Sequence, residues 1–122
     1  MNGLEIMADT NALIYFLNGD SRVLDIISSN VVNISFITEI ELLSKTSITR
    51  KEEKIINDLV SDCIIIPYSE PLKEIIILFR KKYKLKMGDA LIAATAYYHQ
   101  LPLLTADKDF SKVDGITCIQ ID

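Results

Sequence analysis

The sequence predicts an α/β fold, a single-domain α/β/α sandwich built on a parallel sheet and spanning residues 1–122. Three observations carry that expectation. Short runs of β-branched and aliphatic residues alternate along the chain with stretches of helical periodicity. The segments between successive strand runs are long enough for crossover helices, which parallel neighbours require. The composition, 49% hydrophobic and 25% charged over 122 residues with no Gly-, Pro- or Ser-rich tract, is that of one folded domain around one core.

Taken in order, residues 4–9 (LEIMAD) read as a first short strand. The following TNALIYFLNGD places Leu13, Ile14 and Leu17 on one helical face before an Asn-Gly stop. DSRVLDIISSN is a second short helix, capped by Asp20 or Ser21. VVNISFI, residues 31–37, suits a buried strand, and a helix is expected from Thr38 in TEIELLSKT. RKEEKIINDLVSD gives another helix and CIIIPY a third strand. Ser69 caps a helix in which Leu72, Ile75, Ile76, Phe79 and Tyr83 recur at helical spacing. GDALIAATAYYHQ is apolar on nearly every side beyond Asp89 and so predicts a buried helix. LPLLTAD is a fourth strand, KDFSKV a turn or short helix, and GITCIQID a terminal strand.

The N-terminal segment reaches Glu5 and Asp9 too soon for a secretory apolar region, and no uncharged stretch approaches the ~18 residues of a membrane span. The expected location is the cytoplasm, with no membrane partner. Cys63 and Cys118 lack His or Cys neighbours at zinc-ligand spacing and are expected to be buried free thiols. His99, at a helix end, reads as a cap or surface residue. The net charge of −4 argues against nucleic-acid binding by bulk attraction alone. Local basic runs remain, RKKYKLK at residues 80–86 and TRKEEK at 49–54, and either also fits a solvated helix face.

In open parallel sheets ligands collect beyond the carboxyl ends of the strands, and acids fall there in the predicted order of elements. Asp9 ends the first strand, Glu41 lies in the first turn after the second, Asp107 ends the fourth, and Asp89 opens the helix leading into it. Each has an ordinary explanation: Asp9 and Asp107 as turn acceptors, Asp89 as a helix cap, and Thr38-x-x-Glu41 as a capping box. A shared site explains all four at once. Like charges about 4 Å apart repel by roughly 4 kcal/mol at an effective dielectric of 20, so converging carboxylates need a cation. An all-oxygen donor set without His or Cys suits Mg²⁺ or Mn²⁺, and such a centre serves phosphodiester hydrolysis.

MADTNALIYFL, ISFITEIELL, MGDALIAATA and LLTADKDF, in this order and at these separations, resemble the motifs of the PIN-domain nucleases, especially the VapC-like toxins of toxin–antitoxin pairs. The resemblance covers nearly the whole chain and implies a parallel sheet of strand order 3-2-1-4-5. It also implies that Asp9, Glu41 and Asp89 bind the metal and that Asp107 completes or orients a second site. Asn11 corresponds to a polar position that orders the site, and Thr105 to a supporting hydroxyl. Glu39 and Asp109 are neighbouring competitors; helical phasing separates Glu39 from Glu41, and the Thr spacing favours Glu41. The first basic residue after Glu41 is Lys45, later than in many such toxins. The run at 80–86 is therefore expected to hold RNA phosphate instead.

The function implied is a metal-dependent endoribonuclease, the toxin of a toxin–antitoxin pair, using Mg²⁺ or Mn²⁺ and no organic cofactor. Its implied partners are RNA, a small antitoxin that covers the crevice, and a second copy of itself in a homodimer. A non-catalytic PIN-like RNA-binding or scaffold module is the alternative. A receiver-type signalling domain would need an acidic pair after the first strand and an Asp ending the third; MADTN and CIIIPYS supply neither.

Overall fold

The computed structural model describes residues 3–122. Within them, five strands form one sheet: β1 (Glu5–Ala8), β2 (Val31–Ser35), β3 (Ile64–Ile66), β4 (Leu103–Thr105) and β5 (Cys118–Gln120). Their order is β3-β2-β1-β4-β5, with every pair parallel, which is the order the family resemblance implies. The helices are α1 (Thr10–Leu17), α2 (Ser21–Ser29), α3 (Phe36–Leu43), α4 (Arg50–Ser61), α5 (Glu70–Tyr83) and α6 (Met87–His99), with a 3-10 helix at Lys108–Lys112. No described helix is long and apolar enough to cross a membrane.

Strand alternation divides the interior into two layers. Ile6 and Ala8 of β1, with Leu104 of β4, pack among Ala12, Leu13, Val23, Ile27 and Val60 from α1, α2 and α4. Met7 and Leu103 point the other way, into a layer built from Leu72, Ile76 and Phe79 of α5 and the length of α6. Residues 90–96 of α6 are all buried. Such a helix has no solvent face, and here it fits because Ala90, Ala93, Ala94 and Ala96 let α5 and the sheet approach closely. Thr95, the polar member of the run, gives its hydroxyl hydrogen to Leu91 O at 2.7 Å.

Four local expectations are corrected. The strand through VVNISFI stops at Ser35, whose hydroxyl accepts from Ile37 N at 3.2 Å, so α3 begins at Phe36 and not at Thr38. Thr38 then lies inside the helix and forms no capping box with Glu41; the box of this chain is Thr49 with Glu52, at the start of α4. In α1 the core face is Ala12 and Leu13, while Ile14 turns outward, 38% exposed. At α5, Ser69 occupies the cap position but makes no capping bond, and Pro71 in the first turn fixes the start.

Gly115 has φ +91°, and a Cβ there would meet the Tyr97 ring at 2.5 Å. That ring stands edge-on to Phe79. Gly115→Ala should combine backbone strain with overpacking and destabilise the protein by about 2–3 kcal/mol in chemical denaturation. Cys63 and Cys118 are both free and only half-buried. Cys63 directly precedes β3 and Cys118 opens β5, on opposite edges of the sheet. Four strand spacings of about 4.8 Å exceed the ~7 Å reach of a disulfide. Burial and the neighbouring Asp62 charge push the Cys63 thiol up to about 11, and burial followed by the Asp9 charge raises Cys118. Mass analysis should find two unbridged thiols that alkylate slowly in the native protein near pH 7 and rapidly in denaturant.

Candidate functional site

All five strands run the same way, so their carboxyl ends share one edge, and the predicted acids gather there. Asp9 follows β1 directly and is the N-cap of α1, in extended backbone at φ −78°, ψ 172°. The residue is 4% exposed. Oδ1 accepts from Ala12 N at 2.7 Å and Oδ2 from the Thr105 hydroxyl at 2.5 Å. Thr105, the fully buried last residue of β4, accepts in turn from Asp107 N at 2.9 Å. One hydroxyl thus links the Asp9 carboxylate to the backbone of Asp107. Asp107 lies two residues beyond β4, not on it, and caps the 3-10 helix by accepting from Asp109 N at 2.8 Å.

Glu41 stands in the second turn of α3, a turn later than expected because the helix starts early. Its Oε1 accepts from the Thr10 hydroxyl at 2.6 Å, and its Oε2 lies against Gly88, where a Cβ would be 3.1 Å away. These contacts belong to Glu41 and not to Glu39. Asp89 is the third residue of α6, whose cap position is held by Lys86, so it is not the cap that its place in the sequence suggested. A carboxylate in the first helical turn is still favoured by the helix dipole. Asn11 is exposed in the first turn of α1.

The charges of these groups act on one another. Burial raises the Asp9 carboxyl above its usual range; the Thr105 and Ala12 hydrogen bonds oppose the rise, and the Asp89 and Asp107 charges add to it. Asp89 is raised by burial and then by Asp107 and Glu41, with Lys86 opposing and Asp109 adding a smaller push. No described Lys or Arg forms an ion pair with Asp9, Glu41, Asp89 or Asp107. The nearby Lys45 pairs with Glu52 at 3.4 Å, and Asp109 with Lys112 at 3.8 Å. Among the described residues no three Asp, Glu, His or Cys side chains close to the spacing of ligands on a single ion. The site is a set of carboxylates near enough for their charges to act on one another, with spare acceptor capacity, since each oxygen offers two lone pairs.

The basic run at 80–86 ends α5 and turns into α6. Arg80 Nε donates to Leu85 O at 3.4 Å, Lys82 lies 3.8 Å from Asp114, and Lys84 takes the left-handed conformation that closes the helix. Lys86 is exposed at the mouth of α6, three positions from Asp89. The part of the site that the sequence did not disclose is the pair Thr10 and Thr38. The signal lies in D-T-N and T-x-x-E, where the Thr spacing points to Glu41 but not to the contact between Thr10 and Thr38. As for a receiver-type site, β3 ends at Ile66 followed by Pro67, with no carboxylate at that position.

Comparison with known proteins agrees with this architecture. The model of the PIN domain family matches residues 6–116. A toxin–antitoxin complex from Klebsiella pneumoniae contains a chain 31% identical to this one, aligned over 92% of this chain and 95% of that chain with a TM-score of 0.79. FitAcB from Neisseria gonorrhoeae is 25% identical over 93% of this chain and 95% of that chain, with a TM-score of 0.77. DNA-bound VapBC from Salmonella typhimurium, at 19% identity, shares the fold over 100% of both chains with a TM-score of 0.84. Comparison with curated proteins gives no match. With a match from the first core strand to the approach of the last, the chain belongs to the PIN domain family.

Proposed function

We propose that the chain is a metal-dependent endoribonuclease and the toxin of a toxin–antitoxin pair, acting in the cytoplasm as one domain over residues 1–122. The observation that carries this reading is the set of four carboxylates, Asp9, Glu41, Asp89 and Asp107, that raise or face one another without a cationic partner among the described residues. The donor set fits Mg²⁺ or Mn²⁺, because a hard ion that keeps several waters needs only one or two direct carboxylates. Asp9, Glu41 and Asp89 hold the ion, and Asp107 completes or orients a second position. Thr105 fixes the Asp9 carboxylate, and Asn11 contributes a polar group at the rim. When bound, the metal supplies activation of the attacking water and stabilisation of charge on the leaving oxygen of an RNA phosphodiester. Lys84 and Lys86 meet the RNA phosphates on approach.

An apolar groove of about 460 Å³, lined by Ile14, Leu17, Leu42, Ile55 and Ile56, runs to Glu41 and Lys45. It suits the apolar side chains of an antitoxin tail, whose basic group then meets the acids; the Klebsiella chain is itself part of a toxin–antitoxin complex. A homodimer is part of the proposal, and the exposed Ile40, Leu78 and Met87 provide apolar surface for it. The second reading, a non-catalytic RNA-binding or scaffold module, is favoured by one observation: no three acids reach ligand spacing around one ion among the described residues.

Cleavage of a flexible RNA in Mg²⁺ or Mn²⁺, with chelator as control, separates the two readings. Asp89→Asn should lower cleavage about 100-fold or more and metal affinity about tenfold or more. In chelator it should melt at the parental temperature or above, since one charge leaves a crowded cluster. Parental cleavage by this variant in limiting metal would remove Asp89 from the site. A second prediction concerns pH. With Asp9 and Asp89 raised, the folded state holds more protons than the unfolded state above the ordinary value of 3.8. Melting temperature in chelator should therefore fall as pH rises from about 4 through the raised values. Asp20, held at about 2 by Arg22, acts in the opposite sense below that interval, and the exposed Glu52, lowered from 4.5 by its bonds to Thr49, does so up to its ordinary value, so the fall is read above 4.5. Asp89→Asn should make the fall shallower, and identical pH slopes for the two proteins would place Asp89 outside the crowded cluster.

A further inference from the structure

Glu41 is an exposed residue on a short helix, where a glutamate side chain ordinarily samples several rotamers. Here its carboxylate is bonded on one side and has room on the other. Thr10 Oγ1 gives its hydrogen to Oε1 at 2.6 Å and stands 3.2 Å from Thr38 Oγ1, which is fully buried. A threonine hydroxyl carries one hydrogen. With the Thr10 hydrogen committed to the carboxylate, Thr38 supplies the hydrogen between the two threonines. The chain of donors therefore runs outward from the core, Thr38 to Thr10 to Glu41. On the other side Oε2 rests against Gly88, one residue before Asp89, where any Cβ would crowd it at 3.1 Å.

We propose that Thr10 is a positioning residue: its hydroxyl, oriented by the buried Thr38, fixes the Glu41 carboxylate over Gly88 beside Asp89, and the absence of a side chain at Gly88 completes the seat. This rests on the metal reading above, in which Glu41 holds the ion. Thr10 touches neither metal nor substrate and acts only through Glu41. A methyl-for-hydroxyl exchange at position 10 keeps the packing but frees the carboxylate. An alanine at position 88 keeps the hydroxyl but obliges the carboxylate to shift by a few tenths of an ångström.

The test uses the full chain and Mn²⁺ alone, with binding read by electron paramagnetic resonance or calorimetry and melting read in chelator. Thr10→Val should lose about tenfold or more in Mn²⁺ affinity and melt somewhat lower, because the buried Thr38 hydroxyl loses its acceptor, and Thr10→Ser should return to within roughly threefold of the parent. Gly88→Ala should melt at the same temperature or higher, because alanine favours a helix over glycine, yet bind Mn²⁺ roughly three- to tenfold more weakly. In Thr10→Val/Gly88→Ala the loss should not exceed that of Thr10→Val alone, because an unpinned carboxylate yields to the new methyl group. Equal Mn²⁺ affinity in Thr10→Val and the parent overturns the positioning role while leaving the metal reading intact. So does a Thr10→Ser variant as weak as Thr10→Val. Should Thr10→Val not fold, Gly88→Ala decides alone, and unchanged Mn²⁺ affinity there overturns the inference. A parent chain that binds no Mn²⁺ sinks the metal reading itself, and this inference with it.

Discussion

Burying the carboxylate of Asp9 is the constraint to which the carboxyl edge of the sheet answers. A charged group almost removed from water costs several kcal/mol unless protein donors replace its hydration. Here the donors are Ala12 N and the Thr105 hydroxyl. The first sets where α1 starts, and the second ties the end of β1 to the end of β4, next to it in the sheet. Because Thr105 also accepts from Asp107 N, the turn into the 3-10 helix is placed by the same carboxylate. The donors do not cancel the cost of burial: the Asp9 carboxyl stays above its usual range. Burial remains the largest cost at this edge, and the Asp89 and Asp107 charges add to it.

Most of the fold was legible because its signals are local. Alternating aliphatic runs gave the strands, and helical spacing gave α5 and α6, since in each case the burying face is written into ten or so consecutive residues. The misreadings have physical causes that local pattern does not carry. Phe36 and Ile37 have strand-like side chains, but Ser35 ends the ladder by capping Ile37 N, and a single capping bond outweighed their propensity. Ile14 looked like a core residue from its spacing. Whether an apolar face is covered depends on the element opposite, and α3 and α4 leave that part of α1 open as a groove. The strand order was supplied by the family resemblance, because periodicity does not say which strands pair.

For the candidate site, the acids could be found from their places at strand ends, but the way each is held could not. Glu41 had a sequence-local explanation in Thr38, three residues earlier. The actual partner, Thr10, lies 31 residues away and meets it only after β1 and β2 pair in register. Likewise Asp89 looked like a helix cap, whereas the helix begins two residues before it and leaves its side chain to face Asp107 and Glu41. Long-range hydroxyl–carboxylate contacts leave no periodic trace in a sequence, so the chemistry of a residue was easier to read than its neighbours.

The alanine-rich interior of α6 has a consequence for how this chain can change. Ala93 and Ala94 are fully buried between α5 and the sheet, and the first turn of the same helix carries Asp89. A larger side chain at either alanine would lever the helix away from the sheet and swing its N-terminal turn. Interiors at crystal-like density transmit such displacements and do not absorb them. Core substitutions far from the carboxyl edge would then register first as altered spacing between acids, before any loss of folding. The tolerance of α6 to drift is consequently set at its mouth by ångström-scale geometry, and at its far end by the Tyr97 ring packed on Phe79 and Gly115, while Tyr98 beside it is more exposed.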